Sequence, residues 1–367
     1  MNPDAARPTP AREFVQELPA VRIVLAAGAR QRLPDEVARL GWRRVLLIGG
    51  ADPLRSVGDE IATALGSAVV ARIVDAAQHV PVATAQAAVT TARSAAVDGL
   101  VVLGGGSAIG LAKAVALDTG LPVLAVPTTY AGSEMTDIWG RTDQGRKTTG
   151  RTPAVRPTVV VYDVELTIGM PPALTAMSGL NALAHCVEAV YDSGAGPITR
   201  LLALEGVRLL GGWLPAAVTD GADRRARAEV LYGAHLAGTA LGTARMGAHH
   251  ALCHVLGGAF GLPHAETHAV VLPHAVAFNH SAARDALASV ARALDAEPDD
   301  SAGALWDLGH QLNAPPSLAA LGLNRDDALR AAAQLADHPV TNPRPIDSDS
   351  AQELVLAAYH GQRPAPM

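Results

Sequence analysis

The pattern of apolar and polar positions changes character near the middle of the chain. Up to about residue 165, short runs of apolar, β-branched residues alternate with longer Ala-rich stretches of helical periodicity. Six runs predict strands: 22–28, 43–50, 68–74, 99–106, 121–129 and 158–163. Three intervening stretches predict helices: 31–41, 57–66 and 84–96. Continuous apolar strands separated by helices are typical of a mostly parallel sheet that is covered on both faces.

Beyond residue 165 the strand signals stop, and helical periodicity continues nearly to the end of the chain. A length of 367 residues suggests roughly two domains. We therefore predict an α/β domain over residues 1–165 and an all-helical domain over 166–367. The sequence "PRP" at 343–345 predicts a turn before the last helix.

Composition narrows the class of protein. Apolar residues make up 49% of the chain and charged residues 17%, which is typical of a well-packed soluble protein. The net charge is −6 and no basic run occurs, which argues against nucleic acid or a membrane surface as partner. The N-terminus lacks the apolar segment of a signal peptide, and we expect no transmembrane span. Two cysteines cannot form a disulfide framework, so the sequence favours a cytoplasmic enzyme.

A glycine-rich turn follows the fourth predicted strand, in "DGLVVLGGGSAIGLAK". Glycines at Gly104, Gly105 and Gly106 let the backbone approach a ligand, and the helix that follows presents free N–H groups to a pyrophosphate. Ser107 is expected to cap that helix. The alternative is a tight turn that binds nothing. The position of the glycine turn at the carboxyl end of a strand favours a nucleotide site, because open α/β sheets bind ligands there.

The next strand ends in "VPTTYAGSEMT", residues 126–136, which is rich in hydroxyl groups. These hydroxyls are candidates to line a nicotinamide ribose and amide, although the segment also fits a polar loop without a ligand. The candidates are Thr128, Thr129, Ser133 and Thr136.

Histidines are concentrated in one segment: seven of the thirteen fall within residues 249–280. His250 and His254 are four apart and share a helix face, and Pro263 turns the chain before His264. A single histidine is more often a satisfied core or surface residue, but this density favours a working site. His249, His268, His274 and His280 are weaker candidates, and Cys186 and Cys253 are interpreted as small core residues.

A second helical segment, "SGLNALAHCVEAV", places Asn181 and His185 four residues apart on one face. A carboxylate and an imidazole at this spacing would begin a metal site. Here the carboxylate is replaced by an amide, which is a poorer ligand for a divalent ion.

At these residues the chain resembles the iron-containing alcohol dehydrogenase superfamily and, within it, the maleylacetate reductase branch. The resemblance runs nearly end to end. It rests on "GGGSAIGLAK", "PTTYAGSEMTDIWG", "GRKTTG", "SGLNALAHCVEA", "HHALCHVLGGAFGLPHAETHAVVLPHA" and "NPRP". Asp137 departs from the branch, where a proline is expected.

The resemblance implies an N-terminal dinucleotide domain, a C-terminal helical domain and an active site in the cleft between them. It also implies NAD(P)H-dependent reduction of maleylacetate to 3-oxoadipate, in bacterial aromatic-compound degradation. The positions that match cofactor contacts of the family are Gly104 to Ser107, Thr128, Thr129, Ser133, Thr136 and Lys147. Gly50 falls where many NAD-specific relatives have an acid that repels a 2′-phosphate, so NADPH stays open beside NADH.

The positions that match the four metal ligands of metal-dependent relatives are Asn181, His185, His250 and His264. His254 matches the additional histidine near the nicotinamide. We expect these five residues to form the catalytic site without a metal; any metal present would use His185, His250 and His264. The residues expected to bind a small dicarboxylate substrate are Tyr130, His249, His250, His254 and His264.

Alternatives remain at this stage. The first is a metal-dependent alcohol dehydrogenase, in which a divalent ion polarises an alcohol oxygen. The second is a biosynthetic reductase of a related unsaturated keto acid. Lyase chemistry of the dehydroquinate synthase type and a catalytically silent nucleotide-binding protein are weaker. We also expect a homodimer.

Overall fold

The computed structural model describes residues 14, 16–143, 146–337 and 339–366, and of residue 147 it describes the backbone alone. A six-stranded sheet has the order β1-β8-β5-β4-β2-β3, with every adjacent pair parallel. Two further strands, β6 and β7, form an antiparallel hairpin. The strands are β1 Arg22–Ala26, β2 Val45–Gly49, β3 Val69–Ile73, β4 Gly99–Gly104, β5 Val123–Pro127, β6 Ile138–Asp143, β7 Arg146–Arg151 and β8 Val159–Asp163.

Helices flank the sheet. After β8, every described element longer than a 3-10 turn is also a helix. They are α1 Leu33–Arg39, α2 Arg55–Leu65, α3 Val82–Ser94, α4 Gly106–Thr119, α5 Glu165–Ile168, α6 Pro172–Tyr191, α7 Pro197–Thr219, α8 Arg224–Thr243, α9 Ala248–Phe260, α10 His264–Asn279, α11 Arg284–Ala293, α12 Ser301–Gln311, α13 Arg325–Ala336 and α14 Ser348–His360. Short 3-10 turns connect some of them.

The six predicted strands and three predicted helices are confirmed. Strands β2, β4, β5 and β8 are buried along their whole length, because apolar side chains project from both faces and helices cover both. The two faces contribute to separate apolar clusters. The β6–β7 hairpin was not predicted, since its polar sequence lacks the apolar alternation of a half-buried strand.

The helical part surrounds α6, which is buried from Thr175 to Tyr191. Helices α7, α8 and α10 pack against it, and α9 packs against α10. Helix α7 is the one described helix that is long and apolar enough to cross a membrane by length and composition. It packs against α6 and α8 and carries Arg200, Glu205 and Arg208, as a helix of a folded helical domain does. The predicted fold class, an α/β domain followed by a helical domain, is confirmed.

Candidate active site

Helix α6 places three polar side chains in a buried position. Asn181, His185 and Glu188 are four and three residues apart, so they share one face of the helix. Their exposed fractions are 6%, 3% and 0%. The three side chains form a buried polar face on a helix whose other buried residues are mostly apolar.

Helices α9 and α10 bring further histidines to the same place. The rings of His185 and His250 are stacked, with centroids 5.1 Å apart. His250 lies 6.2 Å from His254, which lies 6.5 Å from His264. The structure therefore brings together all four of the histidines predicted to be catalytic. They form one continuous row of rings from α6 across α9 to the start of α10.

The row runs from the interior to the surface. His185 and His250 are buried, whereas His254 and His264 are exposed. Burial lowers the pKa of His185 and of His250 well below the usual range of an imidazole. Both inner rings are consequently neutral at pH 7, and the exposed rings are the ones in contact with solvent.

Glu188 is a site residue that the sequence analysis missed. Its carboxyl oxygen Oε2 is in direct contact with His250 Nδ1. The other oxygen accepts hydrogen bonds from the Gly247 amide at 3.0 Å and the Tyr191 hydroxyl at 3.2 Å. Burial raises the pKa of the Glu188 carboxyl. Because Nδ1 of His250 is occupied in this way, its Nε2 is the ring nitrogen left for a ligand or substrate.

His249 lies behind the row. It is fully buried, and its Nε2 is 2.8 Å from Nδ1 of His268. The placement does not favour the substrate contact that we predicted for His249, because its ring packs against another imidazole. His249, His250 and His268 form a triad whose ligand atoms lie within 4.8 Å of one another. His268, a weaker candidate in the sequence, thus belongs to the cluster.

The donor set fits a divalent ion in part. Asn181 Oδ1 and His250 Nε2 are buried and have no hydrogen-bond partner within the described residues. Buried polar atoms of this kind call for a ligand, an ion or water. Three imidazoles suit zinc, which often has three protein ligands in catalytic sites, but the amide of Asn181 adds no charge to hold the ion.

The glycine turn lies at the point where the strand order reverses. Strands β2 and β4 are neighbours, yet the chain continues from them to opposite sides of the sheet. Ligands bind in the crevice at such a point. Helix α4 begins at Gly106 with Gly105 before it, and no side chain caps its first turn. Ser107 therefore lies inside the helix, contrary to our expectation of a cap, and the first N–H groups remain available to a phosphate.

Gly50 lies on the other side of the crevice, directly after β2. Its φ is +81°, and a Cβ built on it would lie 3.2 Å from the Gly58 Cα in α2. Backbone packing therefore favours glycine at this position independently of the cofactor.

The loop after β5 touches both the glycine turn and the histidines. A Cβ at Gly105 would lie 2.9 Å from Thr129 Oγ1, and a Cβ at Gly132 would lie 3.5 Å from His185 Nδ1. The contact with the glycine turn and the contact with α6 are thus only three positions apart in the chain. The backbone amide of Tyr130 donates to Ser178 Oγ at 2.9 Å, which fastens the loop to α6.

Other predicted cofactor residues in this loop are less accessible. Thr136 is 1% exposed, and its Oγ1 accepts a hydrogen bond from Lys113 Nζ at 2.8 Å. Lys113 also donates to the carbonyls of Ser133 and Ile138. Burial lowers the pKa of Lys113 to about 7. The placement does not favour a cofactor contact for Thr136, because its hydroxyl already binds the buried lysine that holds the loop. Thr128 is also buried, beside Gly104.

Tyr130 is a further predicted residue that lies apart from the row. It is fully buried, and its hydroxyl accepts a hydrogen bond from Arg227 of α8 at 3.3 Å. This placement favours a structural role over the substrate contact that we predicted. The side chain of Lys147 lies outside the described part of the structure.

A cavity of about 570 Å³ opens beside the row. His250 and His254 form one wall, and residues 339–341 form another. Asn342, directly after that second wall, accepts a hydrogen bond from the Ala248 amide at 3.2 Å. Its own amide donates to Asn279 Oδ1 at 2.6 Å, which ties the wall to the start of α9 and the end of α10. The volume fits a small organic ligand.

Replacing Gly105 with valine is expected to raise the KM for NAD(P)H by about tenfold, or roughly 1.4 kcal/mol of binding free energy. The new side chain would displace Thr129 and fill the space over the first turn of α4. The measurement is the KM for each cofactor at saturating substrate. Gly212→Val is the matched control, since a Cβ at Gly212 has nothing within 4 Å. An unchanged cofactor KM in Gly105→Val would contradict the assignment.

Comparison with known proteins agrees with this architecture. Residues 20–164 match the family model described as iron-containing alcohol dehydrogenase, and residues 175–359 match its C-terminal counterpart. The chain is 45% identical to a maleylacetate reductase of Burkholderia cepacia, covering 96% of this chain and 99% of that protein. It is 44% identical to maleylacetate reductase 1 of Rhodococcus opacus, covering 96% and 98%.

A solved structure shows the same fold. The crystal structure of maleylacetate reductase from Agrobacterium tumefaciens matches with a TM-score of 0.92 at 42% identity, over 96% of this chain and 100% of that one. Family models cover both halves of the chain, and several relatives exceed 40% identity over nearly their full length. The chain is an oxidoreductase and belongs to the iron-containing alcohol dehydrogenase family.

Proposed function

We propose that the protein reduces the C=C bond of maleylacetate with NAD(P)H to give 3-oxoadipate. One observation carries the proposal: the loop after β5 contacts the glycine turn through Thr129 and the histidine row through Gly132. A dinucleotide bound at the turn therefore has its redox end directed towards the histidines. The high identity to maleylacetate reductases supports the same substrate.

The dihydronicotinamide, when bound, supplies a hydride to the carbon beta to the ketone. The chain must then stabilise negative charge on the ketone oxygen and deliver a proton to the alpha carbon. We assign the proton to His254, which is exposed and lines the cavity. We assign stabilisation of the oxygen to His250, whose neutral ring donates from Nε2 when Nδ1 accepts a hydrogen bond from a protonated Glu188; burial raises the pKa of that carboxyl.

We further propose that this reaction needs no metal. The enone is already polarised by conjugation, so it accepts hydride without a Lewis acid. The neutral Asn181 removes the anionic ligand that would hold a divalent ion, and it also removes repulsion towards a dianionic substrate. If an ion is bound, His185, His250 and His264 would hold it, and it would polarise an oxygen of the substrate.

The test follows NADH and NADPH absorbance with maleylacetate, with simple alcohols and with aldehydes, before and after exhaustive chelation. We expect turnover of maleylacetate that persists in protein shown to be metal-free by elemental analysis. Activity that is lost on chelation and returns with zinc or ferrous iron would contradict the metal-free reaction. Turnover of alcohols but not of maleylacetate would favour a metal-dependent alcohol dehydrogenase, which the buried, unpartnered Asn181 Oδ1 and His250 Nε2 also support.

We also propose a homodimer in the cytoplasm. Exposed apolar side chains support the dimer, because such side chains are typical of interfaces when they adjoin one another. Leu201 and Ile198 at the start of α7 are 68% and 41% exposed. The segment that carries the exposed Phe14 and Leu18 lies beside them, since Gln16 bonds Thr199 Oγ1 at 2.9 Å.

A further inference from the structure

Arg245 is a cation at the mouth of the cavity with no assigned role. It lies in the short link between α8 and α9, and it lines the cavity together with His250 and His254. Its backbone amide donates to Asp192 Oδ2 at 2.9 Å, which fixes the position of the link. The residue as a whole is exposed.

The guanidinium of Arg245 has no partner among the residues that the structure describes. Within the described residues it forms no hydrogen bond or ion pair, although Asp192 lies beside its backbone. Other arginines of the chain are paired: Arg30 with Asp163 and Arg344 with Glu353 are examples. An arginine that is fixed through its backbone and unpaired at its tip is available to bind an anion.

The cavity has the charge that an anion requires. Its described lining contains one arginine and two histidines and no Asp or Glu. Two buried carboxyls lie just outside the lining: Glu188 is in contact with the His250 ring, and Asp192 accepts the backbone amide of Arg245. A cleft lined by one sign of charge concentrates ligands of the opposite sign. Planar guanidinium matches a carboxylate through two parallel hydrogen bonds, so a carboxylate is the group that this position fits best.

We propose that Arg245 binds one carboxylate of the substrate and selects dicarboxylates over monocarboxylates. The inference rests on the proposed function, since it assumes a substrate with a carboxylate at each end. Arg245 holds one end at the mouth of the cavity, which leaves the conjugated ketone beside His250 and His254. Arg245 is therefore a specificity-determining residue for the reaction and takes no part in proton transfer.

The test compares Arg245→Met and Arg245→Lys with the wild-type enzyme. We expect Arg245→Met to raise the KM for maleylacetate by about tenfold, the size expected for an exposed charge-assisted pair. The value of kcat should change by less than about twofold, because no group that transfers a proton is removed. Arg245→Lys should recover part of the loss. Arg224→Met, an exposed arginine at the start of α8 outside the cavity, is the matched control.

A binding measurement separates this inference from the proposed reaction. Calorimetry with adipate and hexanoate compares a dicarboxylate and a monocarboxylate of equal length without any turnover. We expect Arg245→Met to weaken adipate by about tenfold and to leave hexanoate unchanged. Equal adipate affinity in the folded variant and the wild type would overturn the inference, as would a wild type that does not prefer adipate. Failure of the wild type to reduce maleylacetate would instead overturn the proposed function.

Discussion

His254→Ala is expected to lower kcat for maleylacetate reduction by about a hundredfold, the lower range for loss of a general acid. The ring of His254 stands between His250 and His264, lines the cavity and is exposed. An exposed ring can regain its proton from solvent after each turnover, which the buried His185 and His250 cannot do readily. The measurement is steady-state kcat at saturating cofactor and substrate.

Two further variants show whether the loss of kcat is specific to proton transfer by His254. His254→Gln keeps a hydrogen-bonding side chain but has no proton to transfer, so it should lose as much kcat as the alanine variant. His310→Ala, an exposed histidine stacked on Trp306 in α12, should keep the wild-type rate. Wild-type turnover in a folded His254→Ala protein would show that the ring only packs in the cavity wall.

Asn181→Asp is expected to lower kcat/KM for maleylacetate by about tenfold to about a hundredfold in metal-free protein. The change adds a carboxylate at a position that is only 6% exposed, next to the place where a dianion binds. At a separation of about 6 Å and an effective dielectric constant of about 20, two unit charges repel by roughly 3 kcal/mol. The same carboxylate should tighten zinc binding, because it supplies an anionic ligand beside His185.

Asn181→Ala distinguishes the effect of the added charge from the effect of losing the amide side chain. It removes the amide without adding charge, so its kcat/KM should fall less than that of the aspartate variant. Zinc affinity is measured by competition with a chelator in all three proteins. If metal-free Asn181→Asp reduced maleylacetate at the wild-type rate, the electrostatic account of Asn181 would be wrong.

Much of the fold was predictable because its elements have strong local signals. Strands such as β2 and β4 are short, uninterrupted runs of apolar residues. Such a run has apolar side chains on both faces of the strand, so it is buried completely only in a sheet that is covered on both faces. The hairpin β6–β7 carries no such signal, because its strands are largely polar and do not alternate with apolar residues. Sequence patterns therefore predicted the buried parallel sheet and missed the partly exposed hairpin.

The candidate site was likewise predictable where local spacing decides it and not where distant residues meet. The spacing of four residues correctly predicted that His185 lies beside Asn181 and that His250 lies beside His254, because one helix sets each pair. The contact between Glu188 and His250 joins residues 62 positions apart, and no local pattern reports it. For the same reason the partners of Tyr130 and Thr136 were missed: both hydroxyls accept hydrogen bonds from buried basic side chains of other elements.

The amide pair of Asn279 and Asn342 has a consequence for how new activities arise in this fold. Asn342 holds the start of α9 and the end of α10, so the geometry of the histidines depends on it. Residues 339–341, directly before it, line the cavity but do not make the hydrogen bonds that hold α9 and α10. Mutations can therefore accumulate in this short segment and alter which acids enter, while the reaction machinery is inherited unchanged.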